Sequence, residues 1–155
     1  MEIATPALEE FVEALQTSGV TEALGILNRR VPHRYTAIYE ICGSTLKNLF
    51  LHDKVGEVRP DFLLAVPLRD SFCQFVLKEG LFLSDDSTHD RRLDGHPYQG
   101  VMVSYHGVPL IGNTGELIGT LCHFDVQARG LSEAEFDLLQ KAARVLPGYV
   151  LRRAS

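Results

Sequence analysis

A chain of 155 residues, of which 45% are hydrophobic and 23% charged, has the length of one well-buried domain and the composition of an ordinary globular protein. The formal net charge of -5 argues against a nucleic-acid partner, because such a partner normally requires a basic face and the arginines here cluster only in pairs. No apolar run approaches the about 18 residues of a membrane span, and the N-terminus lacks the basic flank and apolar core of a signal peptide. We therefore expect a cytoplasmic protein without membrane contacts.

The N-terminal region is predicted to form two helices. Thr5 and Pro6 make a favourable start, since a hydroxyl can cap the first turn and proline lacks only an N–H that would have no partner there. The residues that follow repeat with helical spacing on one apolar stripe, namely Leu8, Phe11, Val12 and Leu15. Gly19 ends this helix, and Thr21 is predicted to cap the second one.

Two strands are predicted next, at about 34–41 and 45–52, because aromatic and β-branched residues are enriched there on either side of a glycine turn. The polar residues 53–60 are predicted to form a loop, and residues 61–66 a helical turn.

A short helix is predicted over 72–79. Asp70 and Ser71 are suitable capping residues at its start, and Gly80 suits a left-handed C-cap at its end. Because the helix is apolar around much of its circumference, we expect it to be buried on more than one side.

The stretch 81–125 is the part around which the rest of the chain is organised. It is predicted to form a short strand at 81–84, a long polar segment at 87–99, and a hairpin whose strands are 101–108 and 116–124. Long loops without apolar periodicity tend to be functional or disordered. We expect the polar segment to cap a ligand pocket beside the hairpin.

The last element is a helix that begins with a capping box, in which Ser132 is followed by Glu135. Its apolar face consists of Phe136, Leu139, Ala143 and Leu146. Helices, antiparallel strands and a closing helix in this order predict an α+β domain with one sheet and helices packed on it.

Several motifs in this order resemble those of the GAF domain family, in its bacterial small-molecule sensor branch. The motifs are S-F-C and an apolar helix at 71–80, D-D at 85–86, Y-H-G-V-P-L at 105–110, G-E-L-I-G-T-L-C-H-F-D at 115–125, and L-S-E-A-E at 131–135. The resemblance implies a GAF/PAS-like fold with a central antiparallel sheet of five or six strands. Terminal helices would cover one face, and short helices and the long loop would enclose a pocket on the other. It also implies a single domain over 1–155, with flanking helices in 1–30 and a core in 31–151.

The sequence departs from three named GAF subfamilies. The N-K-x-F-D-E signature of cyclic-nucleotide-binding members is not traceable here. Bilin photoreceptors hold their chromophore through a cysteine that is usually on a helix, whereas the Cys122-His123 pair is on the last predicted strand. Free methionine sulfoxide reductases need cysteines in the loop region, and no cysteine occurs between Cys73 and Cys122. Neither a ligand nor a cofactor is identified by these comparisons.

The pocket is predicted to draw on the short helix, the strand after it, the polar segment and the inward face of the hairpin. The candidate ligand-binding residues are Phe72, Cys73, Phe75, Phe82, Asp86, Tyr98, Met102, Ser104, Tyr105, Leu110, Thr120 and Cys122. For any one aromatic residue, ordinary core packing is the competing interpretation. Alternation separates the two faces of each strand but does not say which of them lines the pocket.

For the other candidate sites, an ordinary structural role is favoured over a functional one. The three cysteines, which include Cys42, are an odd number without metal-binding spacing, and buried reduced thiols are favoured over redox-active ones. The acidic and histidine residues of the polar segment match no metal motif, so no metal site is predicted: Asp85, Asp86, His89, Asp90 and His96. Arg91 and Arg92, together with His96, are a candidate anion clamp, with a surface pair as the favoured interpretation. We find no catalytic motif, which favours a non-enzymatic protein.

Two functional hypotheses remain open. The favoured one is a stand-alone GAF-type sensory domain that binds an unidentified small molecule and signals to a separate partner protein or through a homodimer. Because Met1 opens the chain and no output domain is visible, we expect the effector to be another chain. The stripes on the first and last helices are the candidate dimer surface. The alternative is a thiol-dependent reductase or redox switch on the same fold, and a ligand-free interaction module is a third possibility.

Overall fold

The computed structural model describes residues 6–57 and 61–154, which form an α+β domain on one antiparallel sheet. The helices are α1 (Pro6–Thr17), α2 (Val20–Asn28), α3 (Asp61–Leu64), α4 (Cys73–Glu79), α5 (Glu133–Val145) and α6 (Pro147–Ala154). The strands are β1 (Tyr35–Cys42), β2 (Thr45–Asp53), β3 (Ala65–Pro67), β4 (Phe82–Ser84), β5 (Ser104–Ile111) and β6 (Leu117–Asp125). The predicted fold class is confirmed.

The sheet has six strands in the order β3-β2-β1-β6-β5-β4, so the chain's first and last long strands lie side by side at its centre. Ala37 of β1 is opposite Cys122 of β6, and Tyr105 of β5 is opposite Phe124 of β6. Because side chains alternate along a strand, this register assigns one set of residues from all three strands to each face.

The terminal helices cover one face of the sheet. The apolar stripe of α1 places Phe11 and Leu15 in a core with Leu24 of α2 and Leu139 of α5, against strand residues such as Leu121. Burial of large aliphatic and aromatic side chains of this kind contributes about 1.5–3 kcal/mol each. The predicted apolar stripes of the first and last helices therefore pack in the hydrophobic core of the single chain.

This packing changes the predicted dimer surface. Phe11, Leu15, Leu139 and Leu146 are each no more than 4% exposed within the single chain, so they are not available to a second copy. Leu8, Val12 and Phe136 are only partly buried and pack at the margin of the same core. A dimer through these helices stays a prediction, with a smaller apolar surface than the sequence indicated.

A second core lies on the opposite face, between the sheet, α4 and the segment that joins β4 to β5. Tyr35, Tyr39 and Phe124 of the sheet pack there with Phe72, which precedes α4, and with Val76 of α4. The 3₁₀ turns Ser87–His89 and Arg91–Leu93 belong to the joining segment. Within α4, Cys73 and Val76 are buried and Phe75 is half-buried, whereas Lys78 and Glu79 are exposed, so the predicted burial on more than one side is only partly realised.

Strand β3 and helix α6 were not predicted from the sequence. Residues 61–66 were expected to form a helical turn, but the helix is limited to Asp61–Leu64 and Val66 then pairs with Leu46 of β2. A three-residue edge strand that ends at a proline has no detectable periodicity. Strand β5 likewise begins at Ser104, three residues later than expected, because residues before it form a turn.

The end of α4 and the start of α5 have the predicted capping residues, whereas α4 begins with Phe72 at its N-cap rather than Asp70 or Ser71. The Ser132 hydroxyl accepts a hydrogen bond from the Glu135 N–H, and Gly80 adopts the left-handed conformation with a φ of 89°. Helix α2 begins two residues earlier than expected, with Gly19 rather than Thr21 at its N-cap. The predicted Thr5 cap lies outside the described residues. Within residues 6–57 and 61–154, no helix is long and apolar enough to cross a membrane.

Candidate ligand pocket

A cavity of about 60 Å³ lies on the sheet face opposite the terminal helices. It is enclosed by strand residues, the start of α4, the α3–β3 region and the end of the β4–β5 segment. The described residues that line it are Tyr39, Leu63, Val66, Ser71, Phe72, Cys73, Tyr98, Met102, Tyr105 and Phe124. The lining is aromatic and aliphatic, with hydroxyl groups and one thiol as its polar members.

The strands position the aromatic part of this lining. Tyr39, Tyr105 and Phe124 project from three neighbouring strands to the same face, as their register requires. The Tyr39 hydroxyl donates a hydrogen bond to the Leu63 carbonyl at 3.0 Å, which ties β1 to the α3 side of the cavity. Buried tyrosine hydroxyls normally find such a partner.

The segment from residue 85 to residue 103, here called the lid, folds down onto this face. The buried Ser87 hydroxyl donates to the Met102 carbonyl at 2.7 Å, and the Ser87 hydroxyl also accepts from the Gly100 N–H at 3.0 Å. The Gln99 side chain donates to the Ser87 carbonyl at 3.1 Å and reaches across the loop to Asp94. These bonds close the lid on itself at its base.

Aromatic and apolar contacts hold the lid against α4. Leu93 is 1% exposed and joins the second core. The His96 ring lies 4.7 Å from the Phe72 ring, and the Arg92 guanidinium lies 4.5 Å above the Phe82 ring. Burial lowers the pKa of His96, so the ring that packs on Phe72 is neutral near pH 7. The polar segment, which was predicted to cap a pocket beside the hairpin, is therefore packed over aromatic side chains.

The Cys73 thiol is the most heavily contacted polar group of the lining. Its Sγ lies 3.1 Å from the Tyr105 hydroxyl and 3.3 Å from the Thr120 hydroxyl. A hydrogen bond with the Cys122 thiol, together with those of Thr120 and Tyr105, lowers the pKa of Cys73 against the opposing effect of burial. Burial raises the pKa values of Cys122 and Tyr105 well above their usual range, so both remain protonated.

Glycine at position 107 allows the contact between the Tyr105 hydroxyl and the Cys73 sulfur. A Cβ at Gly107 would lie 2.6 Å from the Tyr105 ring, because the tyrosine side chain folds across that position. The missing side chain thus lets the Tyr105 hydroxyl reach the Cys73 sulfur.

Two solved structures cover nearly the whole chain. The GAF domain of the Acinetobacter phosphoenolpyruvate-protein phosphotransferase matches with a TM-score of 0.75 at 14% identity, over 98% of this chain and 97% of that one. The free methionine-R-sulfoxide reductase of Neisseria meningitidis, solved in complex with its substrate, matches with a TM-score of 0.73 at 16% identity, over 100% and 97%. The chain has the GAF fold.

Comparison at the level of sequence adds a partial relative. A cyclic di-GMP phosphodiesterase of Pseudomonas aeruginosa is 39% identical over 85 residues, which is 52% of this chain and 14% of that protein. The GAF-fold chain thus spans a small part of that relative's length. No protein-family model matches the sequence.

The GAF fold brings five of the twelve candidate site residues to the cavity wall: Phe72, Cys73, Tyr98, Met102 and Tyr105. Thr120 and Cys122 are fully buried directly behind Cys73. Phe75 and Phe82 pack against each other at 4.9 Å in the same core, one layer away from the cavity. Ligand contact by these residues stays a prediction.

Three of the candidate residues lie elsewhere. Ser104 and Leu110 project to the helix-covered face, because each is an odd number of residues from Tyr105 along β5. The Ser104 hydroxyl donates to the Gln127 carbonyl, and Leu110 belongs to the first core. Asp86 caps a 3₁₀ turn of the lid, where its carboxylate accepts from the Thr88 N–H. These three residues do not line the cavity.

Five of the lining residues were not predicted from the sequence: Tyr39, Leu63, Val66, Ser71 and Phe124. Tyr39 and Phe124 alternate correctly along their strands, but alternation does not identify the pocket face. Leu63 and Val66 belong to the segment that was expected to form only a helical turn. The Ser71 side chain was read as a helix cap, and its hydroxyl does accept from the Gln74 N–H at 3.3 Å.

The acidic and histidine residues of the lid have structural partners. Asp90 forms an ion pair with Arg92, whose hydrogen bonds hold the pKa of Asp90 at about 2. Arg92 also donates to the Leu83 carbonyl in β4. Its guanidinium is therefore occupied by partners within the protein and does not form an open anion-binding site. Among the residues that the structure describes, no group of three or more histidine, cysteine or acidic side chains could hold a metal ion.

A second buried polar cluster lies on the helix-covered face of the same strands, here called the histidine cluster. It consists of Asn28, His33, Thr36, His106 and His123, each no more than 1% exposed. The His106 Nε2 atom lies 2.7 Å from the Asp85 carboxylate, and its Nδ1 lies 2.9 Å from the His33 Nε2. Thr36 accepts from Asn28 at 2.9 Å and donates to the His123 Nδ1.

Burial keeps these imidazoles neutral. It lowers the pKa of His33 to about 3 and that of His123 well below its usual range, and it lowers the pKa of His106 as well. If Asp85 accepts from the His106 Nε2–H, then the His106 Nδ1 accepts from His33, whose own Nδ1 has no partner among the described residues. No local pattern predicts this cluster, because its members are distant in sequence and come together through the pairing of β1, β5 and β6 and through the contacts of Asn28 and His33 with these strands.

Proposed function

We propose that the chain is a GAF-type sensory domain that binds a compact, uncharged small molecule in the cavity and signals to a partner protein or through a dimer. The observation that carries this proposal is the cavity itself, enclosed between the lid, α4 and three strands. Its aromatic lining with a few placed hydroxyl and thiol groups is typical of small-molecule sites. A neighbour of the same fold was solved with a bound substrate, which is consistent with such use.

The size of the cavity limits the ligand. One water needs about 10–15 Å³ measured in this way, so about 60 Å³ accommodates only a handful of water-sized groups. A larger ligand would have to displace the lid or the α3–β3 edge. The proposal therefore favours a compact molecule.

The charge of the lining limits it further. The described lining residues include no arginine, lysine, histidine, aspartate or glutamate side chain. A phosphate or carboxylate would lose its hydration there without a fixed cation to replace it, which is costly in an apolar site. We therefore infer an uncharged ligand, and the phosphodiesterase activity named in the partial relative is not carried over to this chain.

The lid supplies the route for a signal. Its base is bonded to the Met102 carbonyl just before β5, and Arg92 is bonded to the Leu83 carbonyl in β4. A ligand in contact with Tyr98 and Met102 would change how tightly the lid holds these two strands. Such a ligand shifts the equilibrium only by the difference between its affinities for the two states.

Filling the cavity provides a test. Val66 lines it and is 8% exposed, so Val66→Phe places a larger ring in the space that the ligand would need. Compounds that raise the melting temperature of the wild-type chain, found by thermal-shift screening of small uncharged molecules, should lose this effect in the variant. Native mass spectrometry of the purified protein would report a co-purified molecule and the assembly mass together.

The matched control is Val126→Phe, the same substitution at a residue that is 41% exposed and not part of the cavity. It should respond to the compounds as the wild type does. Equal responses from both variants would contradict binding in this cavity. A screen and a native mass spectrum that both find no ligand would contradict the sensory proposal itself.

A further inference from the structure

Two buried thiols meet behind the cavity wall. Cys73 is the first residue of α4 and lines the cavity, whereas Cys122 lies within β6 and is fully buried. Helix α4 packs directly on β6. Cys122 projects to the same face of β6 as Thr120, whose hydroxyl is 3.3 Å from the Cys73 sulfur. Cys122 also pairs with Gly107, over which the Tyr105 hydroxyl that contacts Cys73 lies, so the two thiols are neighbours. One thiol therefore faces the space that an incoming molecule would occupy, and the second is held behind it.

We propose that Cys73 and Cys122 form a peroxide-reactive thiol pair, in which Cys73 attacks a small hydroperoxide that enters the cavity and Cys122 then closes a disulfide. This inference goes beyond the sensory proposal, because it concerns covalent chemistry of the chain's own residues and needs no bound ligand. Its substrate class follows from the cavity, which is small, without charged described side chains, and large enough for a molecule the size of hydrogen peroxide.

Hydroxyl donors prepare Cys73 for this reaction. The Tyr105 and Thr120 hydroxyls lie 3.1 Å and 3.3 Å from its sulfur and can donate to a thiolate. The thiolate is the reactive form of cysteine, and donors that stabilise it lower the pKa of the thiol. Tyr105 stays protonated because burial raises its pKa, so its O–H remains available to donate.

The atoms and electrons of the two steps balance. In the first step, the Cys73 thiolate attacks one peroxide oxygen and the O–O bond breaks. This yields a sulfenic acid on Cys73 and an alcohol, or water from hydrogen peroxide, after uptake of one proton. In the second step, the Cys122 sulfur attacks the Cys73 sulfur, hydroxide leaves, and the Cys122 proton converts it to water. Two thiols are oxidised by two electrons, and the hydroperoxide is reduced by two.

Cys42 is an internal control for this assignment. It is the last residue of β1, remote in the register from Cys122, and its thiol donates to the Glu40 carboxylate at 3.3 Å. That hydrogen bond to a carboxylate raises the pKa of Cys42, which disfavours its thiolate. Although Cys42 is more exposed than Cys73, we expect it to react later.

The test uses the full chain, purified in reductant and then exposed to increasing hydrogen peroxide. Remaining thiols are blocked with N-ethylmaleimide in guanidinium chloride, and the peptides are mapped by mass spectrometry. We expect a Cys73–Cys122 linked peptide pair, lighter by two hydrogens, to form before Cys42 is modified and to be reversed by dithiothreitol. If Cys73 and Cys122 both remain free at peroxide doses that oxidise Cys42, the proposal is overturned.

Single substitutions separate the roles of the two sulfurs. Cys122→Ser should stop at a sulfenic acid on Cys73 that dimedone traps, Cys73→Ser should leave Cys122 reduced, and Cys42→Ser should form the link as the wild type does. A dimedone adduct on Cys122 in Cys73→Ser would overturn the assignment of Cys73 as the attacking thiol. Circular dichroism checks each variant's fold, and the wild-type result decides by itself if a variant fails to fold.

Discussion

The two faces of the central sheet bury polar groups in opposite ways. On the pocket face, Cys73 and Tyr105 line a cavity that an outside molecule could enter, and the buried Thr120 hydroxyl contacts the Cys73 sulfur behind the cavity wall. On the helix face, the neutral His33 and His106 rings are hydrogen-bonded to each other, His123 is hydrogen-bonded to Thr36, and all three imidazoles are buried. Strands β5 and β6 contribute to both faces, since Tyr105 and His106 are adjacent in β5 and Cys122 and His123 are adjacent in β6. Alternation along these strands separates residues at the cavity from residues of the fully buried histidine cluster.

Acid should break the helix face first, with the largest effect. The folded-state pKa values of His33, His106 and His123 lie below their ordinary value of 6.5 because of burial, so the unfolded chain binds more protons below pH 6.5. Stability is therefore fully present above that pH and declines as the pH falls toward the folded-state pKa, which is about 3 for His33. Each histidine contributes up to about 1.4 kcal/mol per pH unit. Urea unfolding should lose roughly 3 kcal/mol or more between about pH 6.5 and 4.5.

A variant assigns this loss to the cluster. His123→Gln should be less stable at neutral pH, and its stability should depend less on pH within the same interval. His89→Gln is the control, because the His89 side chain is 82% exposed and lies in the lid. The carboxyl groups with lowered pKa values, such as Asp90, stabilise the fold above their ordinary pKa of 3.8. Their stabilisation is lost only as the pH falls below that value, so they add little pH dependence within this interval. A free energy of unfolding that stays constant down to pH 4.5 would contradict the description of the helix face.

One substitution made on both faces compares them directly. Thr36 and Thr120 are both fully buried, and replacement by valine removes only a hydroxyl at similar volume. Thr36→Val leaves Asn28 and His123 without their shared partner and should cost about 1–3 kcal/mol of unfolding free energy, with no change in Cys73 reactivity. Thr120→Val should cost about 1 kcal/mol or less and should slow the oxidation of Cys73.

Urea unfolding and the peroxide assay, run on both variants, measure these two quantities. Equal effects of the two substitutions on thiol oxidation would show that the Thr120 hydroxyl does not act on Cys73.

Substitution at Gly107 should displace the Tyr105 side chain on the pocket face. In Gly107→Ala the new Cβ would lie 2.6 Å from the Tyr105 ring, so the ring must move and its hydroxyl must leave the Cys73 sulfur. Overpacking of this kind typically costs about 1–3 kcal/mol. We expect reduced stability together with slower Cys73 oxidation, whereas Gly43→Ala, in the β1–β2 turn, should leave oxidation unchanged. Unaltered Cys73 reactivity in a folded Gly107→Ala protein would exclude a role for the tyrosine contact.

The smallest effect is expected in the lid. Arg92→Ala removes the ion pair with Asp90, the bond to the Leu83 carbonyl and the contact over Phe82. Because the Arg92 side chain is 55% exposed, the global cost should stay below about 1 kcal/mol. Hydrogen exchange should nevertheless rise within residues 86–100 and not in the central strands. The adjacent Arg91→Ala is the control, and equal exchange in both variants would mean that Arg92 does not fasten the lid.

The sequence predicted those features that depend on local pattern. The stripe of α1, the left-handed Gly80 and the Ser132 cap each follow from a few neighbouring residues, and all three occur in the structure. The lid was also recognisable from its length and polarity. Its packing over Phe72 and Phe82 follows from apolar residues such as Leu93 within it.

The features that the sequence did not predict depend on pairing between distant residues. Tyr39 and Phe124 line the cavity because β1 and β6 are neighbours, which no local pattern reveals. The histidine cluster likewise depends on His106 lying opposite His123 across β5 and β6. Candidate residues on strands were therefore assigned to the correct elements but not always to the correct face, as with Ser104.

The difference between the two faces is tested most directly by methyl NMR spectroscopy under xenon pressure. Xenon is an uncharged atom that enters small apolar cavities. We predict saturable shifts at the methyl groups of Leu63, Val66 and Met102 around the cavity, with none at Leu24 and Leu139 in the helix-side core. Absence of any response at Val66 and Met102, or a response confined to the helix side, would contradict the claim that the pocket face holds an accessible cavity.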